Sequence, residues 1–150
     1  RYAVTARAIF DSTRQVILLH EGNDVGRGDP LELIGDQLEY VATRGDEIAR
    51  GQFDLAFDKS RGVSVLFGGA VCEWQEAESN FHCDPLNDTW EYDGNTWRLV
   101  EVPVSPPARY GHALAYDAAR GVVVLFGGVG SDGYTLNDTW EYNGVSWVER

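Results

Sequence analysis

Between its two cysteines the chain reads Cys72-Glu-Trp-Gln-Glu-Ala-Glu-Ser-Asn-Phe-His-Cys83. This segment carries the carboxylates Glu73, Glu76 and Glu78, the imidazole of His82 and the large rings Trp74 and Phe81, with no Lys or Arg. Such a set is open to three chemistries. The thiols can close a disulfide, which would pin an otherwise mobile loop and imply an oxidising compartment; the alternative is two free thiols. His82 with Asp84 or Glu73 can begin a transition-metal site, but such sites need converging ligands and this stretch offers a single imidazole. An exposed Trp among carboxylates suits stacking on a sugar ring or a protein side chain. Alternatively, Trp74 and Phe81 fold inward as a plug.

Elsewhere the reactive residues are scattered. His20 ends an apolar run, and His112 follows a glycine in Arg109-Tyr110-Gly111-His112-Ala113. There is no Gly-x-Ser-x-Gly elbow, phosphate loop or Cys-x-x-Cys pair, so no catalytic constellation is read and no cofactor is expected. Asp24, Asp29 and Asp132 lie near glycines, as calcium ligands often do, but their spacing matches no defined calcium loop. Asn87-Asp88-Thr89 and Asn137-Asp138-Thr139 fit the N-glycosylation acceptor pattern, yet each also opens a recurring strand motif.

That recurrence is the organising fact. Residues 88–128 align without a gap on residues 29–69 at an offset of 59, and Asn87-Asp88-Thr89-Trp90-Glu91-Tyr92 returns as Asn137-Asp138-Thr139-Trp140-Glu141-Tyr142. One turn counts the copies: Asp11-Ser-Thr-Arg14, Asp58-Lys-Ser-Arg61 and Asp117-Ala-Ala-Arg120. There are three, with approximate bounds 1–47, 48–105 and 106–150. The first is worn: His20-Glu21-Gly22 replaces Phe-Gly-Gly, and Leu31 and Leu38 stand where the others have Trp90 and Trp97, or Trp140 and Trp147. Repeats of this period point to propellers or solenoids.

Each copy reads as four short strands, in the third copy roughly 112–116, 122–126, 139–142 and 146–149, because brief apolar runs are closed by turn chemistry. The first hairpin turns on Asp117 to Gly121, matched by Asp58 to Gly62, with Gln15 replacing the glycine in copy one. The last turns on Asn143-Gly144, matched by Asp93-Gly94, as expected of a type I′ turn. Val122-Val123-Val124-Leu125-Phe126 is apolar on both faces, so neighbouring copies must cover the sheet on both sides. Pro103, Pro106 and Pro107 break the link between copies two and three. The chain is read as all-β, one region of three four-stranded antiparallel sheets.

The order Arg109-Tyr110-Gly111-His112-Ala113, then the apolar strand ending in Gly127-Gly128, then Trp140-Glu141-Tyr142 and Trp147, resembles the Kelch repeats, in a variant similar to those of secreted bacterial proteins. The resemblance implies three propeller blades. It also implies that the connections between strands two and three share a ligand-receiving face with the links between blades. Carried onto this chain, that face holds Asp24 and Arg27 in the first copy, Glu73, Trp74, Glu76, Glu78, Phe81 and His82 in the second, and Asp132 and Tyr134 in the third, with Arg109 beside them. Galactose oxidase is a Kelch-type enzyme, but its copper site of tyrosine and histidine ligands is not reproduced here. Cys72 and Cys83 fall in the longest of these connections, which spans 18 residues between Gly69 and Asp88 against 6 and 9 in the siblings.

Propellers close with roughly four to eight blades, so three leave two apolar faces open. The expectation is half of a six-bladed ring, completed by a second copy in a homo-oligomer or by the rest of a longer chain. A net charge of −12 speaks against a nucleic-acid footprint and for neutral or basic partners. No apolar run reaches the length of a membrane span, and the N-terminus carries no secretion signal, as a mature or excised chain would also read. The functional expectation is a non-enzymatic binding or assembly module of an extracellular, periplasmic or cell-surface protein, with a protein or glycan partner. The alternatives are a purely structural subunit of an extracellular oligomer or polymer, and a fragment of a galactose-oxidase-like enzyme.

Overall fold

The computed structural model describes residues 4–23, 31–40, 50–76 and 80–150, and these contain strands and no helix. A first sheet holds β1 (Val4–Asp11), β2 (Val16–Asn23), β3 (Leu31–Ile34) and β4 (Gln37–Tyr40), antiparallel and in sequence order. The second is built from β5 (Asp54–Asp58), β6 (Val63–Phe67), β9 (Thr89–Tyr92) and β10 (Trp97–Val100). Between its middle strands, β7 (Ala70–Gln75) and β8 (Asn80–Pro85) form a hairpin of their own. The third comprises β12 (Ala113–Asp117), β13 (Val122–Gly130), β14 (Thr135–Tyr142) and β15 (Trp147–Glu149), and the short β11 (Arg109–Tyr110) pairs with the far end of β13.

The Asp-x-x-Arg turns fold as their residues require. One carboxylate oxygen of Asp58 accepts the backbone N–H of Ser60 (3.0 Å) and Arg61 (3.2 Å), and Gly62 closes the turn at φ +68°. Asp117 does the same for Ala119 and Arg120, before Gly121 at φ +67°. In the first copy Gln15 takes this left-handed conformation at φ +59°, held by its side-chain amide on the carbonyl of Ser12.

The last hairpins differ from the type I′ expectation. Positive φ falls on Gly94 and Gly144 but not on the residues after them, the sign pattern of a type II′ turn. The Asp93 carboxylate captures the N–H groups of Asn95 and Thr96, and the Asn143 amide oxygen those of Val145 and Ser146.

The sheets stack face to face in sequence order. Strand β6 is covered on both sides, as its composition requires. Leu66 faces the first sheet and packs with Leu18, Leu55, Trp90, Tyr92 and Trp97, while Val65 and Phe67 pack against Leu114, Val123, Leu125, Trp140, Tyr142 and Trp147 of the third. Burying these large side chains, at about 1.5–3 kcal/mol each, is the main force holding the stack.

Polar bonds fix its register. Glu32 accepts the Tyr92 hydroxyl of the second sheet (3.1 Å), and Glu91 accepts the Tyr142 hydroxyl of the third (3.0 Å). Arg14 and Arg61 each clamp the same glutamate from their own turn. Asp11 and Asp58 of these turns are buried, whereas the Asp117–Arg120 pair of the third turn stays at the surface.

Candidate functional site

The inserted connection is an ordered hairpin, a correction to its reading as a strandless loop. Its strands place Cys72 opposite Cys83, Glu73 opposite His82, Trp74 opposite Phe81 and Gln75 opposite Asn80. The sulfurs of the opposed cysteines are bonded, with Cα atoms 4.0 Å apart. A two-stranded hairpin is marginal by itself, so this cross-link supplies what a covering sheet would otherwise give. At its base, Gly51 and Ala70 exchange backbone hydrogen bonds of 2.9 Å, and Leu86 N–H donates to Gly69. The glycine pair lets the chain leave the sheet here: a Cβ on Gly68 would lie 2.7 Å from the Arg109 carbonyl oxygen.

Alternation of side chains divides the hairpin. Glu73, His82 and Asp84 share one face, where His82 Nε2 lies 3.2 Å from an Asp84 carboxylate oxygen, and all three are exposed. Trp74 lies on the other face with Cys72, 53% exposed and paired in register with Phe81. Glu76 is exposed near the tip; Glu78 lies outside the described residues. Among the described residues, no three His, Cys, Asp or Glu side chains gather as a metal-binding group.

The corresponding connection of the third sheet is also a hairpin, formed because β13 and β14 run on past a bulge between Phe126 and Gly128. At its tip the Asp132 carboxylate accepts the Tyr134 N–H (3.0 Å), so Asp132 shapes the turn that holds Tyr134, which is 74% exposed. The first-copy connection, with Asp24 and Arg27, lies outside the described residues.

Arg109 is misplaced in the expected ligand face. Its side chain is wholly buried, with both terminal nitrogens on the Asp138 carboxylate (2.6 and 2.7 Å) and one also on the Gly127 carbonyl (3.0 Å). Arg50 repeats this with Asp88 (2.5 and 2.8 Å) and Gly68. The indole N–H of Trp90 donates to Asp88, and that of Trp140 to Asp138. The guanidinium and the indole N–H hold Asp138 below the usual carboxylate range. For Asp88, burial opposes ionisation, but the same two kinds of donor outweigh it. The signal is present in the sequence: Arg50 and Arg109 share the offset of 59, and each matching Asp stands two residues before a Trp.

His112 is buried edge-on to Phe67, their ring centroids 5.6 Å apart. Burial, followed by the nearby Arg109 charge, lowers its pKa to about 4. It is thus a neutral core ring at neutral pH.

No protein-family model matches the chain. Among curated proteins, it is 40% identical over 74 residues to a putative adagio-like protein 2 and 39% identical over 73 residues to an adagio-like protein 1, both of Oryza sativa subsp. japonica. Each match takes in 46% of this chain and 10% of the relative, so the chain spans about a tenth of the length of these relatives. Among solved structures, that of YjhT superposes with a TM-score of 0.66 at 15% identity, over 99% of this chain and 51% of that one. The chain therefore shares the sheet-stacked all-β fold of a protein about half of whose length it matches.

Proposed function

We propose that this chain is a Kelch-type interaction module without catalytic function, belonging to an extracytoplasmic protein and recognising a neutral or basic protein segment through its strand-two-to-three hairpins. The observation that carries the reading is the stapled hairpin, which holds Trp74 exposed on one face and Glu73 exposed on the other, with Glu76 exposed near the tip and no Lys or Arg in the segment. An exposed aromatic on a cross-linked hairpin costs little entropy to dock, and the acidic rim of the same hairpin favours cationic or neutral surfaces. The net charge of −12 steers the same class of partner, and the disulfide suits an oxidising compartment. The partial likeness to adagio-like proteins is compatible with a module inside larger proteins.

A second reading, a structural subunit completed by association, is favoured by the exposure of Phe126 on the outer face of the third sheet. The two readings are compatible, with the rim serving recognition and the stack serving assembly.

The test is selection from a displayed peptide library with the whole chain as bait, repeated with Trp74→Ala and with Glu73→Gln/Glu76→Gln. Peptides rich in Lys or Arg whose capture falls at least tenfold in both variants support the reading. Capture unaffected by either change removes the rim as the site. Trp74-dependent capture on an oligosaccharide array, with none from the peptide library, replaces the protein partner by a glycan.

A further inference from the structure

The two interfaces inside the stack are built alike, and the outer face of the third sheet repeats one half of that construction. On the second sheet the receiving half consists of Ala56, Val65, Phe67, Thr89 and Glu91, with Arg61 over it. The entering half, on the third sheet, supplies Tyr142 and Trp147. The hydroxyl of Tyr142 donates to Glu91 while Arg61 lies 5.2 Å from its ring centroid; the indole of Trp147 packs 5.1 Å from Phe67 and donates its N–H to Thr89 (2.9 Å). Gly144 sits against the Arg61 guanidinium, where a Cβ would come within 2.9 Å. The interface between the first and second sheets uses Glu32, Arg14, Tyr92 and Gly94 in the same roles.

On the third sheet the receiving positions are Ala115, Val124, Phe126, Thr139 and Glu141, each the repeat counterpart of a residue on the second. Phe126 is 55% exposed, whereas Phe67 is fully buried. Glu141 is already clamped by Arg120 and Arg150, yet among the described residues no tyrosine reaches it. Arg120, the counterpart of Arg61, is more than half exposed, with no ring beneath it among the described residues. The face therefore offers two acceptors, an aromatic floor and a guanidinium, arranged for one kind of occupant.

This deepens the association part of the function proposed above. We propose that the outer face of the third sheet is a docking site for a further four-stranded sheet carrying tyrosine and tryptophan in the places of Tyr142 and Trp147, and that the first sheet of a second copy does not fill it. The first sheet keeps Glu32 and Gly35, but at the two ring positions it has Leu33 and Leu38. Leucine brings no donor for Glu141 or Thr139 and cannot fill the volume an indole fills. A two-fold dimer that closed the stack head to tail would leave Glu141 held by Arg120 and Arg150 alone and Thr139 without an indole donor, so it would forgo both inter-sheet hydrogen bonds and the packing of an indole on Phe126. Continuity with two interfaces that share the glutamate, arginine, tyrosine and glycine construction argues for the Tyr- and Trp-bearing sheet.

The test introduces a single reporter thiol by Ala115→Cys, since the chain has no free cysteine and the counterpart Ala56 is buried. The whole chain is compared with the same chain extended after Arg150 by a second copy of residues 101–150, and with that extension carrying Tyr142→Leu and Trp147→Leu in the added copy. The expected result is at least tenfold slower thiol modification in the first extended chain and little slowing in the second. Equal protection by both extensions would overturn the proposal, because the rings would then not decide docking. So would protection of the reporter thiol in the unextended chain together with a light-scattering mass of twice 16.6 kDa, because the first sheet would then be a sufficient occupant. Trp74 and the rim carboxylates are unchanged throughout, so failure here leaves the recognition reading standing, and failure of that reading leaves this one.

Discussion

The hydroxyl of Tyr142 donates to a carboxylate oxygen of Glu91 at 3.0 Å, a bond between two sheets whose residues stand 51 positions apart. Burial, and after it the Glu91 charge, raises the tyrosine pKa above its ordinary value, so the hydroxyl remains a donor through neutral and mildly alkaline pH. Glu91 also holds Arg61 and Arg98, so losing the tyrosine donor does not strand the carboxylate. Tyr142→Phe should lower stability by about 1.5–3 kcal/mol, the range for a hydrogen bond to a charged group. Urea unfolding checks this, with a lower midpoint and an unchanged slope expected.

The buried pair of Arg109 and Asp138 calls for a larger effect. Arg109→Ala leaves the Asp138 carboxylate and the Gly127 carbonyl without their guanidinium, and should cost about 3–5 kcal/mol. Arg109→Lys should recover part of this by restoring the charge without the bidentate fork. Tyr134→Ala, on an exposed hairpin tip, should stay within about 0.5 kcal/mol. Chemical unfolding of the three variants orders them, and equal stability of Arg109→Ala and Tyr134→Ala would refute the assignment.

Reduction of Cys72–Cys83 should act locally. Closing a loop of this length stabilises by about 3 kcal/mol in the chain-entropy account, but the hairpin forms a sheet separate from the three stacked ones. Amide exchange across residues 70–85 should therefore accelerate by about tenfold or more in Cys72→Ser/Cys83→Ser, while the global unfolding midpoint moves little. A collapse of the whole fold on reduction would contradict this.

His112 gives the stack a pH dependence. Its pKa is about 4 in the folded protein, against about 6.5 unfolded, so between these values the unfolded chain binds the extra proton. The histidine's contribution is complete above pH about 6.5, declines as pH falls, and levels off below pH about 4; the full span is worth roughly 3 kcal/mol. Asp138, held below its ordinary pKa chiefly by Arg109, adds a loss at still lower pH. His112→Phe should flatten the stability profile between pH about 6.5 and about 4 and leave the lower limb, as thermal melts across that range would reveal.

Residues alone make legible whatever the repeats print in every copy. The Asp-x-x-Arg turns, the Trp-Glu-Tyr strand and the double-faced β6 and β13 all announce themselves by recurrence and by turn chemistry. Gln15 shows how robust that signal is, since it keeps the left-handed turn conformation without glycine. Sequence misleads where long-range partners decide. Arg109 looks like a loop cation because its acceptor lies 29 residues away. The hairpin at Cys72–Cys83 looks strandless because its short alternation, dense in charge, has no packed face to reveal. Asn-Gly and Asp-Gly alone suggest one geometry for the last turns, whereas side-chain capture of two N–H groups sets another.

The unequal interfaces also make the stack thermodynamically lopsided. In a linear array each layer is held only by its neighbours, so cooperativity is a sum of nearest-neighbour couplings. The coupling between the second and third layers has the aromatic pair of Phe67 and Trp147 and the indole bond to Thr89. In the first-to-second coupling His20 replaces the phenylalanine, and the Trp97 N–H finds no acceptor among the described residues. Fluctuations should thus fray the array from its first layer inward, with the second and third melting together as the persistent nucleus.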